Sequence, residues 1–257
     1  MPKTRPTIHC VIPDTQVKPG VDTSHLTWVG QYIADKRPDV VIQIGDFGDL
    51  QSLSSYDRGK RSHAMLTYAE DIRAVRAAMK RLLAPIRAVR GYKPRMILTL
   101  GNHEDRITRA INEDGRLYGT IGLKDLGYEE EGWEVYPFLT PVVVDGIAYA
   151  HFFQSGSMGR PVSSARALVR SRHMSATMGH VQRADIDLGD IRADGRQVIG
   201  LFCGTCYLHD EPYLGQSNAL RRQIVMKYEV SGDGHYDPAF VSLDYLRRRY
   251  AKKKKAA

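Results

Sequence analysis

The sequence predicts an α/β protein in which two β-sheets pack face to face with helices outside them. Three observations predict it. Two short apolar runs, Ile8 to Ile12 and Val40 to Ile44, flank a helical stretch and make a βαβ unit. A third apolar run, Met96 to Leu100, follows a long amphipathic helix and continues the alternation. Beyond residue 130 the pattern changes to short strands with a single helical segment, which calls for a second sheet against the first. No repeat of fixed period and no Pro-, Gly- or Ser-rich linker divides the chain. Residues 1–246 are therefore expected to form one domain, and 247–257 a basic, disordered tail.

The first strand stops at Pro13-Asp14. Ser24 is placed to cap a helix through about Lys36, with Leu26, Val29 and Ile33 on one face and Pro38 ending it. The second strand stops at Gly45-Asp46. Met65, Tyr68, Ile72, Val75, Met79 and Leu82 recur at helical spacing and predict a helix that ends near Pro85. The third strand runs into Gly101-Asn102-His103-Glu104. Residues 104–130 read as helix in pieces, broken at Gly115, Gly119, Gly122 and Gly127. Strands are then expected at Val142–Val144, Ile147–Phe153, Ala176–Met178, Ile186–Leu188, Val198–Cys203, Gln223–Val230 and Ala239–Tyr245, with a helix at about Ser163–Arg172.

Composition narrows the function classes. With 257 residues, 42% hydrophobic and 26% charged, the chain can bury a core without disulfide or metal staples, which excludes coiled-coil, collagenous and disordered classes. No run approaches the roughly 20 apolar residues of a membrane span. Three cysteines make no disulfide framework, so a cytoplasmic protein is expected. Lys plus Arg number 37 against 29 Asp plus Glu, a net charge of +8 that favours polyanionic or phosphate-bearing partners. Part of it is local: Arg247, Arg248, Arg249 and Lys252 to Lys255 lie within nine residues.

Five polar clusters stand beside strand ends: Asp14-Thr15-Gln16, Gly45-Asp46-Phe47-Gly48-Asp49, Gly101-Asn102-His103-Glu104, His151, and Gly179-His180-Val181-Gln182. The carboxyl ends of strands are where sheet enzymes bind ligands, because loops converge there on a rigid base. Carboxylate, amide and imidazole donors without thiolate suit Mn²⁺, Mg²⁺, Fe or Zn²⁺.

In their order, these clusters resemble the motifs of the calcineurin-like metallophosphoesterase superfamily: D-x-H, G-D-x-x-D, G-N-H-E/D, H and G-H-x-H. The resemblance spans residues 14–182, and the chain is also similar in general pattern to small superfamily members of bacteriophages. It implies the αββα two-sheet fold and a binuclear centre of two divalent metal ions, manganese first, with magnesium, zinc or iron as alternatives. Asp46 would bridge the metals. Asp14, Gln16 and Gln182 would complete one site, and Asn102, His151 and His180 the other. His103 would act as general acid or transition-state stabiliser at the leaving oxygen, its ring oriented and charged by Asp49. A metal-bound hydroxide would attack phosphorus in line while Asn102 and the metals stabilise the equatorial oxygens.

Two positions depart from the motifs. Both expected histidines of one metal site are glutamine, at Gln16 and Gln182. Amide oxygens are harder donors than imidazoles and shift preference towards Mn²⁺ or Mg²⁺; the alternative is a site that is empty or filled only with substrate present.

Substrate contacts are expected from the loop Tyr56 to His63, through Arg58, Lys60, Arg61 and His63, and from Arg106 and Arg109. Glu104 is expected to brace its loop. Cys203 and Cys206 fit packing better than zinc or redox chemistry. Tyr207, His209, Asp210 and Glu211 either line a pocket or form a surface turn. The expectation is a hydrolase of phosphate esters, a phosphodiesterase or nuclease on DNA, RNA or nucleotides before a phosphomonoesterase. The alternative is a non-catalytic nucleic-acid-binding scaffold with a degraded metal site.

Overall fold

The computed structural model describes residues 5–55, 65–189, 191–193, 195–211 and 220–251. Strands β1 (Thr7–Ile12), β2 (Val40–Gln43), β3 (Arg95–Thr99) and β4 (Glu134–Tyr136) run parallel in one sheet. It is completed by antiparallel β12 (Gln223–Val230) beside β1 and β13 (Asp237–Ser242) at the edge. A second sheet centres on three parallel strands, β6 (Ile147–Ala150), β9 (Ser175–Met178) and β11 (Gly200–Cys203). Antiparallel β5 (Val142–Val144) and β10 (Ala184–Asp187) form its edges. A two-stranded ribbon, β7 (Gln154–Ser155) and β8 (Arg160–Pro161), stands apart.

Alternation along the strands builds three apolar layers. Val11, Ile42, Ile97 and Val225 of the first sheet meet Val144, Ile147, Tyr149 and Leu201 of the second. The opposite face of the first sheet, Cys10, Ile12, Val41, Leu98 and Ile224, packs on helices α1 (Ser24–Lys36) and α2 (Tyr68–Arg87). The outer face of the second, Ala148, Ala176, Met178 and Phe202, takes Leu168 of α4 (Ala165–Arg172). A short α3 (Asp105–Glu113) follows β3, and α5 (Leu243–Tyr250) follows β13. Among the described residues, no helix is long and apolar enough to cross a membrane.

Several expectations are corrected. Ser24 opens α1 but does not cap it: its amide and hydroxyl both donate to Asp22, at 2.8 and 3.0 Å. Met65 is 85% exposed and lies before α2, which starts where Thr67 Oγ1 accepts from the Glu70 amide. The end of α2 falls near Pro85 as expected, at Arg87, with the proline inside the last turn. The helix passes close to α1 there, since a Cβ at Gly30 would lie 2.2 Å from the Leu82 carbonyl oxygen and 3.2 Å from the Pro85 ring. The strand expected through Tyr245 ends at Ser242, whose hydroxyl accepts from the Tyr245 amide and starts α5. Leu243 and Leu246 are buried, and Tyr250 donates to Asp35 of α1. Arg247 to Tyr250, expected as tail, are therefore helix, and residues 252–257 lie outside the described residues. Strand β4 has no counterpart in the sequence reading. Its three residues are fixed by pairing with β3 and by an ion pair between Arg95 and Glu134.

A lysine reaches into the core between the sheets. Lys227 of β12 is fully buried, its ammonium 4.5 Å from the Tyr149 ring centre, 4.2 Å from that of Tyr236, and donating to Thr177 Oγ1. Burial pulls its pKa down to about 7. The unfolded chain keeps that proton up to about pH 10.4, so between those values it binds more protons than the folded chain and stability rises with pH. Between pH 7 and 9 the wild type should gain on Lys227→Met in urea unfolding, by up to about 1.4 kcal/mol per pH unit. A difference independent of pH would contradict the lowered pKa.

Candidate metal centre

All five polar clusters lie at carboxyl ends of parallel strands: Asp14 after β1, Asp46 after β2, Asn102 and His103 after β3, His151 after β6 and His180 after β9. Because the two sheets face each other, the loops of both converge at one end. Local backbone conformation aims the side chains. Gln16, Asp46, His180 and Gln182 all have positive φ, between 42° and 63°, a conformation that costs non-glycine residues energy and persists where surroundings impose it. Close approach explains two motif glycines. A Cβ at Gly101 would lie 2.1 Å from Asp46 Oδ1, and one at Gly179 would lie 2.4 Å from Asp14 Oδ1.

Glu104 fastens the loops together. Its buried carboxylate accepts from the amides of Asp46 (3.0 Å), Gly48 (3.1 Å) and Gly101 (2.8 Å) and from the Tyr128 hydroxyl (3.2 Å). It is thus spent on bracing.

Four donor atoms converge beyond it. Asn102 Oδ1 lies 2.9 Å from His151 Nε2 and 2.8 Å from His180 Nδ1, and Asp46 Oδ2 lies 3.2 Å from His151 Nε2. Among the described His, Cys, Asp and Glu side chains, Asp46, His151 and His180 form the group whose ligand atoms all fall within 4.8 Å of one another. His151 Nδ1 lies 3.0 Å from the Ile44 carbonyl, which can only accept, so Nδ1 carries a proton and Nε2 faces the cluster. Burial opposes charge on His151, but Asp46 and Asp14 outweigh it and lift its pKa to about 9. Burial and the His151 charge push His180 down to about 4, leaving it neutral with a lone pair to give. Two oxygen acceptors facing two imidazoles are satisfied either by protons or by a divalent cation, and the donor set fits the latter.

The Asp14 side is built differently. Asp14 Oδ1 accepts from the His180 amide at 3.2 Å, while its Oδ2 and both amide atoms of Gln16 are buried without a hydrogen-bond partner. Burial, with Asp46 adding to it against His151, pushes Asp14 up to about 7, the position of a carboxylate short of positive charge. Gln182 differs from Gln16, because its Oε1 accepts from the Tyr207 hydroxyl at 3.0 Å. Orphaned oxygens on Asp14 and Gln16 fit a cation there.

His103 stands between two carboxylates. Its Nδ1 is 2.9 Å from Asp49 Oδ1, and its amide donates to Asp46 Oδ1 at 2.9 Å. Its Nε2 lies 3.7 Å from Asp46 Oδ2 and 3.3 Å from Arg106 Nη2. Burial lowers its pKa, but Asp46 and Asp49 outweigh that and Arg106 and leave it raised. Asp49 is held below the usual carboxylate range: burial opposes this, and His103, Lys18 and Arg106 overcome it.

No family model matches the chain. It is 37% identical over 97 residues to the Gene 54 protein of Mycobacterium phage D29. That match covers 37% of this chain and 35% of the phage protein, about a third of its length. A solved crystal structure aligns with 92% of this chain and 100% of its own at 12% identity, but its TM-score of 0.40 is too low to carry an argument.

The expected substrate contacts are placed unevenly. Arg106 Nη1 donates to the Asp49 carbonyl (2.6 Å) and to Asp49 Oδ1 (3.0 Å), which makes it a brace of that carboxylate. Arg109 donates to the Asn102 carbonyl at 2.8 Å and fixes the β3 loop. Arg58, Lys60, Arg61 and His63 lie outside the described residues. Cys203 and Cys206 are buried in different apolar layers, and burial raises both thiols, Cys203 to about 12, so neither is a nucleophile. Sequence reasoning missed Phe138 and Phe152, which wall the imidazoles: the Phe152 ring centre lies 4.6 Å from that of His180, and Phe138 lies 6.5 Å from His151. It also gave no role to Lys18, for which no local pattern exists.

Proposed function

We propose that the chain is a metal-dependent phosphoesterase of the calcineurin-like metallophosphoesterase superfamily, with that superfamily's αββα arrangement. Its substrates are then phosphate esters, phosphodiesters of DNA, RNA or nucleotides before monoesters. The convergence of Asp46 Oδ2, Asn102 Oδ1, His151 Nε2 and His180 Nδ1, beside the His103–Asp49 pair, carries the reading.

Asp46, Asn102, His151 and His180 would hold one divalent ion, and Asp14 and Gln16, with Asp46, a second, with Mn²⁺ the best match to the amide oxygens. Such ions supply charge to polarise a phosphoryl oxygen and lower the pKa of water. The chain's own groups do the rest. Asn102 orients the phosphoryl oxygens, and His103 presents Nε2 as the proton donor to the departing oxygen. Asp49 fixes the ring by its Nδ1 contact, and the Phe138 and Phe152 rings exclude water from one side. The +8 net charge favours a polyanionic substrate.

Assay of bis(p-nitrophenyl) phosphate and p-nitrophenyl phosphate with Mn²⁺, Mg²⁺, Zn²⁺ or chelator tests the reading. Turnover should require metal, favour Mn²⁺ and the diester, and fall about 10³-fold or more in Asp46→Asn. The reverse ester preference would make the protein a phosphomonoesterase. Equal metal-independent background in wild type and variant would leave a non-catalytic scaffold.

A further inference from the structure

Resting on that phosphoesterase reading, we infer that Lys18 is a positioning residue for His103, acting through Asp49, and that Glu211 holds Lys18 in place. Lys18 Nζ donates to Asp49 Oδ2 at 3.1 Å and to Glu211 Oε1 and Oε2 at 2.7 and 2.8 Å. The three side chains are 12%, 8% and 3% exposed. An ammonium has three donors, and all three are used. The other Asp49 oxygen faces His103 Nδ1 and Arg106. Lys18 and Arg106 thus hold both Asp49 oxygens and keep Oδ1 2.9 Å from His103 Nδ1.

The backbone supports the same assignment. Val17 donates to the Phe47 carbonyl (2.9 Å), and the Asp49 amide donates to the Val17 carbonyl (2.8 Å), so the β1 and β2 loops are stitched where Lys18 meets Asp49. Glu211 arrives from 193 residues away, beyond β11. Its Oε1 also lies 2.7 Å from His209 Nε2, and the His209 ring stacks on Tyr207, 4.7 Å between centres. Tyr207 in turn donates to Gln182. Tyr207 and Glu211 are thus buried in the site wall, not on a surface turn. Contacts run unbroken from the amide of Gln182 to the ring of His103. Burying charges carries a desolvation cost that apolar side chains avoid, so a network of this kind beside a proton donor points to positioning.

The test compares Lys18→Met, Lys18→Arg, Glu211→Gln and His103→Ala in the full chain on an alkyl and a p-nitrophenyl phosphodiester with Mn²⁺. The alkyl oxygen needs a proton to leave; p-nitrophenolate does not. Lys18→Met should lower kcat on the alkyl diester about 10 to 100-fold, with KM within about twofold and little change on the aryl diester. Lys18→Arg should keep most activity, Glu211→Gln should show a smaller loss of the same kind, and Lys18→Met should add little to His103→Ala. Equal losses on both diesters, or a loss that adds fully to that of His103→Ala, would overturn the inference while leaving the phosphoesterase reading intact. If the wild type turns over neither diester, the NMR signal of the His103 Nδ1 proton decides the inference alone. Its presence in wild type and Lys18→Arg and loss in Lys18→Met supports positioning; its persistence in Lys18→Met overturns it.

Discussion

Asp46→Asn should abolish metal-dependent hydrolysis, lowering turnover by about 10³-fold or more, while the protein stays folded. Asp46 is where every element of the centre meets. Its Oδ1 takes the His103 amide, and its Oδ2 faces His151 Nε2 at 3.2 Å and His103 Nε2 at 3.7 Å. Burial opposes its charge, and the two imidazoles outweigh burial to hold it below the ordinary carboxylate range. Asparagine matches aspartate in size and tolerates the φ of 50° at this position, so the backbone survives the change. What is lost is the negative charge that would hold the proposed cations and that raises the pKa of His103. Steady-state assay with Mn²⁺, beside a urea unfolding curve, separates the two effects. Near-wild-type turnover would remove Asp46 from the centre.

Glu104→Ala should produce the largest loss of stability of any single change in these loops, about 3–5 kcal/mol. Removing the carboxylate leaves three backbone amides and the Tyr128 hydroxyl without their acceptor in a fully buried place. Each buried donor left unpaired costs about 1–3 kcal/mol, and relaxation recovers only part of the sum. Glu104→Gln keeps one oxygen and should lose less. Denaturant midpoints at constant slope measure both. A loss below about 1 kcal/mol for Glu104→Ala would mean that the β2 and β3 loops hold their conformation unaided.

The layers were legible in the sequence because strand runs and helix stripes are local patterns. The run at residues 8–12 lies in β1, those at 40–44 and 96–100 overlap β2 and β3 and pass each strand's end by one residue, and Val142–Val144 and Gln223–Val230 coincide with β5 and β12. Local pattern fails where neighbours decide. Residues 243–245 look like strand continuation, yet the Ser242 cap and contacts with α1 turn them into helix. Pro85 is tolerated within α2 because it falls in the last turn, beside Gly30. At the site, motif spacing brought out the residues whose loops share strand ends. It did not separate Gln16, whose amide atoms are orphaned, from Gln182, whose oxygen holds Tyr207. Nor did it show Lys18 with Glu211, since a pairing across 193 residues leaves no trace in either neighbourhood.

The central claim is a metal centre at the mouth of the two sheets. Anomalous X-ray scattering from crystals soaked in Mn²⁺ tests it most directly, because it locates cations without reference to activity. The account predicts one peak enclosed by Asp46, Asn102, His151 and His180 and a second beside Asp14 and Gln16. Crystals saturated with Mn²⁺ that show no peak among those four side chains would contradict it.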